Sequence, residues 1–206
     1  MKLIHRKEYL EKIAKLVGRN LIICITGQRR VGKSCLMRTL VSEWNSRSDT
    51  NIIYIDKEKS DFDEIRNYTD LNNYIESKTL SGKQNFILID EVQQIDEFER
   101  SLCNYYDKDG FDVIVTGSNA KMLSGELATL LSGRYIEIHV YGLSYSEFLT
   151  FHNLEDNDAS LVKYLNIGGL PNLSLLPPDN IEMIRDYLSS IYLSLIHISE
   201  PTRRTP

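Results

Sequence analysis

Apolar residues gather in five short stretches of this chain, residues 21–26, 51–55, 86–89, 111–116 and 135–140, with polar-rich segments between them. Phe86-Ile87-Leu88-Ile89 shows no polar alternation, the pattern of a parallel strand buried on both faces. The intervening segments read as helices, and strands alternating with helices build parallel sheets. Tyr9, Leu10, Ile13 and Leu16 recur at helical spacing, which predicts an amphipathic helix over residues 6–18 packed on the sheet. Further helices are expected over 35–41, 63–77, 94–106 and 120–131, with a turn at Ser81-Gly82-Lys83. Beyond Tyr141 the pattern changes to helices alone, at 144–152, 158–167 and 180–192. Gly168-Gly169-Leu170-Pro171 and Pro177-Pro178 separate them. The expectation is an α/β unit over residues 1–141 with a five-stranded parallel sheet, followed by a small helical segment over 142–192.

The first apolar stretch runs into Gly27-Gln28-Arg29-Arg30-Val31-Gly32-Lys33-Ser34, a complete G-x-x-x-x-G-K-[ST] loop between strand and helix. Gly27 and Gly32 let the backbone curl so that successive N–H groups face a phosphate chain. The helix that begins near Lys33 adds the positive end of its dipole. Lys33 is expected at the β- and γ-phosphates, and the Ser34 hydroxyl on Mg2+. Gln28, Arg29, Arg30 and Val31 fill the free positions of the loop, and Cys35 follows it, so the whole run lines the nucleotide. For Arg29 and Arg30 a solvated or ion-paired role stands beside a phosphate contact.

The third stretch ends in Asp90-Glu91. Ligands of parallel sheets bind at the carboxyl ends of the strands, where these two carboxylates fall. Asp90 is expected in the Mg2+ shell, and Glu91 as the group that orients and activates the attacking water. The alternative is a strand end that caps the next helix. No Asn-Lys-x-Asp guanine signature and no Asp-x-x-Gly switch follows a strand, so ATP is the expected nucleotide. Thr116-Gly117-Ser118-Asn119 closes the fourth stretch. Asn119 or Ser118, or else Thr116, is placed to contact the γ-phosphate or the water; Ser118 or Asn119 could equally cap the following helix.

Thr26 to Ser34, Leu88-Ile-Asp-Glu-Val-Gln93, Thr116-Gly-Ser118, Ser132-Gly-Arg134, Leu143-Ser-Tyr-Ser-Glu-Phe-Leu149 and Gly168-Gly-Leu-Pro171 together resemble a known family. It is the prokaryotic AAA-domain ATP-binding proteins, whose phosphate-loop domain precedes a C-terminal domain. The likeness runs from about residue 1 to 192. It implies a three-layer α/β/α P-loop NTPase of the additional-strand type, ATP and Mg2+ as ligands, and ATP hydrolysis. It also implies the sensor 1 role for Asn119 or its neighbours, and a lid role for the helical segment. Arg134 falls on the family's Gly-Arg pair. An arginine on the γ-phosphate, in cis or from a neighbouring subunit, raises turnover by about 10³–10⁵-fold; the plainer reading is a surface arginine paired with Glu137 or Glu126. A nucleotide switch with slow turnover that signals through the C-terminal domain is the alternative function, and a P-loop kinase a more distant one.

Composition narrows the partners. The net charge of −5 lacks the basic excess of a dedicated nucleic-acid binder, so nucleic acid enters only by family analogy; a homo-oligomer or a protein partner is compatible with the charge. Cys24, Cys35 and Cys103 form no C-x-x-C pair, and the four histidines make no metal pattern. An odd cysteine count suits a reducing compartment, and no signal peptide or apolar run of about 20 residues points to a membrane; the cytoplasm is expected. Residues 193–203 resemble the conceptual translation of a sequencing adapter. Residues 193–206 are therefore read as a non-native tail on a truncated chain.

Overall fold

All five apolar stretches become strands of one parallel sheet. A computed structural model of the chain describes residues 5–117, 131–171, 173 and 182–190. The strands are β1 (Ile22–Thr26), β2 (Thr50–Asp56), β3 (Gln84–Asp90), β4 (Phe111–Thr116) and β5 (Tyr135–His139), in the order β2-β3-β4-β1-β5. Every pairing is parallel. β1, β3 and β4 stand inside the sheet and bury almost every residue, as the unbroken apolar runs require. The helices of this unit are α1 (Lys7–Ala14), α2 (Lys33–Trp44), α3 (Tyr68–Lys78) and α4 (Phe98–Tyr105). The described residues fall into two compact units, one within Met1–Gln28 and Gly32–Tyr141, the other within Arg29–Val31 and Gly142–Pro206.

Two expected helices are shorter than their sequence pattern. Residues 63–77 read as one helix, yet α3 begins only at Tyr68, after a 3-10 turn at Ser60–Phe62. Lys57 is buried and its Nζ donates to the carbonyls of Phe62 (2.6 Å) and Ile65 (2.9 Å), which ties this stretch back to the end of β2. Asn67 then opens α3, its side chain accepting from the N–H groups of Thr69 and Asp70 in a capping box with Asp70. The helix expected over 94–106 is split into a 3-10 turn at Val92–Gln94 and α4 from Phe98. Between them Asp96 N–H donates to Arg66 O (2.8 Å), and Asn67 pairs with Asp96 as an isolated bridge. One long-range contact thus delays both helices. α1 is also shorter than 6–18, since its last turn tightens as Leu16 and Val17 donate back to Ile13 O before Gly18 turns with φ 74°.

The second unit contains α5 (Tyr145–His152), α6 (Asp158–Ile167) and α7 over 182–190. Ser144 and Glu147 form the capping box of α5, and Asn157 caps α6. Phe148 is fully buried, with its ring centroid 5.1 Å from that of Tyr164. The Gly168-Gly169 pair has a steric cause: Leu143 N–H donates to Gly169 O at 2.6 Å, and a Cβ on Gly169 would sit 2.4 Å from Leu143 O. The expected helix over 120–131 and the ends of the one over 180–192 lie outside the described residues, as does the tail. No described helix is long and apolar enough to cross a membrane.

Candidate nucleotide and metal site

The carboxyl edge of the sheet collects the predicted chemistry. β1 ends at Thr26, and the loop turns at once through Gly27 (φ 142°), Arg30 (φ 67°) and Gly32 (φ 100°) into α2. Gly32 is the N-cap of α2 in a left-handed conformation that glycine adopts without strain. Lys33 is buried inside the loop's curve, and its Nζ donates to Gly27 O (3.0 Å) and Gln28 O (3.3 Å). Val31 is buried, while Gln28, Arg29 and Arg30 are exposed. Within the second unit the Arg30 guanidinium stands 4.7 Å from the Tyr187 ring centroid. Cys35 is half-buried, and its carbonyl accepts from the Thr39 hydroxyl at 3.0 Å.

Register along the sheet brings β3 and β4 into line, with Ile89 opposite Val115, so Asp90 and Thr116 emerge side by side. The Thr116 hydroxyl is wholly buried; it donates to Asp90 Oδ1 and accepts from the Glu91 N–H (3.0 Å). One hydroxyl therefore ties together both carboxylate residues. Asp90 is also hydrogen-bonded by the Ser34 side chain, and the Tyr54 hydroxyl on β2 lies 3.5 Å from Oδ2. Burial pushes the Asp90 carboxyl above its ordinary value; the Thr116 and Ser34 hydrogen bonds pull it down, and the charges of Asp56 and Glu91 add to the rise. Asp56 is opposite Asp90 in the β2–β3 register and is buried too. It accepts from Glu58 N–H (3.3 Å), with Lys59 Nζ 3.6 Å away.

Ser34 and Asp90, predicted as metal ligands from opposite ends of the motif pair, are thus in direct contact. A hydroxyl, a carboxylate and a second buried carboxylate form an all-oxygen donor set, which suits Mg2+ and not a thiolate- or imidazole-loving metal. Glu91 takes a left-handed backbone (φ 56°, ψ 51°), uncommon for a residue with a side chain and frequent at functional sites.

Arg134 lies elsewhere. It immediately precedes β5, and its carbonyl accepts from Ile22 N–H at 2.9 Å, which fixes it at the amino edge of the sheet. Five residues of strand separate it from the loop edge, about 16 Å. Its guanidinium donates to Cys103 Sγ (3.5 Å) and stands 5.4 Å from the Tyr106 ring centroid. Asn119 and Ser118 lie outside the described residues. Sequence reasoning overlooked Tyr54, Asp56 and Gln93, whose amide donates to Glu91 Oε2. Asp56 was recoverable as an acidic residue closing a strand, and Gln93 as the end of the Leu88–Gln93 motif, though neither was given a role; Tyr54 carries no local signal.

Sheet order, phosphate loop and paired carboxylates define a P-loop nucleotide-binding domain of the AAA type. The AAA domain family model matches residues 19–149, and the chain belongs to that family. An uncharacterized protein of Haemophilus influenzae is 34% identical over 203 residues, covering 94% of this chain and 50% of that protein. The chain spans about half the length of the curated relatives it matches. AMPPCP-bound DnaA from Aquifex aeolicus has a TM-score of 0.54 at 17% identity, covering 94% of this chain and 62% of that one. The Aeropyrum pernix ORC1 protein in complex with DNA has a TM-score of 0.56 at 11% identity, covering 96% and 66%. At these identities the likeness is one of fold.

Proposed function

We propose that the chain binds Mg-ATP at the carboxyl edge of the sheet and hydrolyses it. The observation that carries this reading is the Ser34–Asp90 contact, formed on the same edge as Lys33 and Glu91. The loop N–H groups and Lys33 hold the β- and γ-phosphates; Ser34 and Asp90 would hold Mg2+, which would supply positive charge against the phosphates. The Glu91 carboxylate accepts a proton from water as the water oxygen attacks the γ-phosphorus. The bond from that phosphorus to the bridging oxygen breaks, and its electron pair leaves with ADP. Arg134 is too far along the sheet to serve its own nucleotide, so it is assigned to that of a neighbouring copy, and a homo-oligomer becomes the working form. ATP, Mg2+ and three free cysteines suit the cytoplasm.

Phosphate release from Mg-ATP is the test. Lys33→Ala is expected to abolish ATP binding, and Glu91→Gln to keep binding while stopping release; full release by both variants overturns the assignment. A second reading, a slow switch, draws on the length of the relatives: the nucleotide state would then be read by the half of those proteins that this chain does not span. Tight ATP binding with turnover that appears only when that half is added would favour it. The ORC1 neighbour's DNA is no guide here, given the acidic balance of this chain.

A further inference from the structure

We infer that Gln93 is a positioning residue for the Glu91 carboxylate; the inference rests on the ATPase reading. Glu91 leaves β3 in a left-handed conformation and opens the 3-10 turn Val92–Gln94. That turn is rigid. Val92 and Ile95 are buried in the main core, Gln94 N–H donates to Glu91 O (3.1 Å), and Ile95 N–H to Val92 O (3.0 Å). The turn brings the 91 and 93 side chains together, and the Gln93 Nε2 donates to Glu91 Oε2. The backbone N–H of Glu91 is meanwhile held by Thr116. The main chain of the proposed base is therefore fixed by two hydrogen bonds, one to β4 and one from the turn, and its side chain by one from Gln93. Among the described residues no hydrogen bond reaches Glu91 Oε1, so one carboxylate oxygen stays available for water.

Gln93 shows the orientation in a second way. Its own Oε1 is buried and has no hydrogen-bond partner among the described residues. Buried acceptors are seldom left unpaired, and turning the amide over would only set that oxygen against the Glu91 carboxylate. The side chain instead keeps its donor on Glu91 and leaves its acceptor unused. This is what aiming the base demands, and a glutamine with a purely structural role would relieve the unpaired oxygen. A carboxylate swinging between rotamers spends little time on the line of attack, and small misplacements of a catalytic group cost up to about 100-fold in rate.

The test is Gln93→Met, which keeps the length and volume of the side chain and removes the donor. The expected result is a kcat lower by about 10- to 100-fold, with KM for Mg-ATP and the unfolding midpoint unchanged. In a Glu91→Gln background the same substitution should lower the residual rate no further, because residues that act through one another are not additive. An unchanged kcat, or an equal loss in both backgrounds, overturns the inference. If the wild type releases no phosphate, the ATPase reading fails and the pairing is read by nuclear magnetic resonance. The Gln93 side-chain amide signals of the full chain should shift on Glu91→Gln, and signals that stay in place overturn the inference.

Discussion

Asp90 and Asp112 are two buried aspartates at opposite edges of one sheet, and both carboxyls are pushed up by burial. Their partners differ. Asp112, on β4 near the amino edge, accepts from the Gly18 N–H (2.7 Å) and from Gln84 Nε2 (2.8 Å). Nearby, Asn85 binds the carbonyls of Leu80 and Lys83 through its amide and accepts from Leu80 N–H and Asn51 Nδ2. These are fixed amide donors and acceptors, and they staple the chain turns that begin the strands. Asp90 is met instead by the hydroxyls of Ser34, Thr116 and Tyr54. A hydroxyl both donates and accepts, so it can turn its lone pair toward a cation that an amide N–H could only repel. Burial of a carboxylate is common to both edges; the chemistry of its partners separates a structural tie from the proposed site.

The largest effect that sharpens this contrast is expected from Asp90→Asn. It should bring Mg-ATP turnover to background while leaving the unfolding midpoint at or above that of the wild type, since it removes a buried charge. A large loss of stability together with retained turnover would place Asp90 with Asp112 as a tie. Arg134→Ala comes next. Acting in trans, it should lower turnover by up to about 10³-fold, and mixing it with the Glu91→Gln variant should restore part of the activity through mixed interfaces. A full rate in Arg134→Ala would leave the amino edge purely structural.

The smallest effect is expected from Asp112→Asn, with turnover unchanged and stability at neutral pH altered by no more than about 1 kcal/mol. Its pH dependence is the informative part. The folded-state value is raised above the ordinary 3.8, so the folded protein holds this proton more tightly than the unfolded chain. The contribution of Asp112 to stability therefore rises as pH falls through the raised folded value toward the ordinary one. Chemical denaturation across that window should show the rise in the wild type and its loss in Asp112→Asn.

Much of this was legible along the chain. All five strands, the loop from Gly27 to Ser34 and the Asp90-Glu91 pair follow from residue types within a few positions of one another. Helix bounds at α3 and α4 did not follow, because Lys57 and the Arg66–Asp96 contact act across distances that no local pattern encodes. The placement of Thr116 was half legible: it was named with Ser118 and Asn119, but its double bond to Asp90 and the Glu91 N–H depends on strand register.

The sequence by itself determined which backbone can curl around a phosphate and which side chains carry charge to the strand ends, since glycine conformation, apolar periodicity and carboxylate chemistry are properties of single residues and near neighbours. Only the tertiary structure decided that Ser34 meets Asp90, that Gln93 holds Glu91, and that Arg134 faces away from its own loop. The first and last of these depend on the order β2-β3-β4-β1-β5 and on parallel register, while Gln93 reaches Glu91 through the 3-10 turn that joins them. Strand order is a choice among long-range pairings of similar apolar segments, and the residues that exploit it leave no mark in the chain around them.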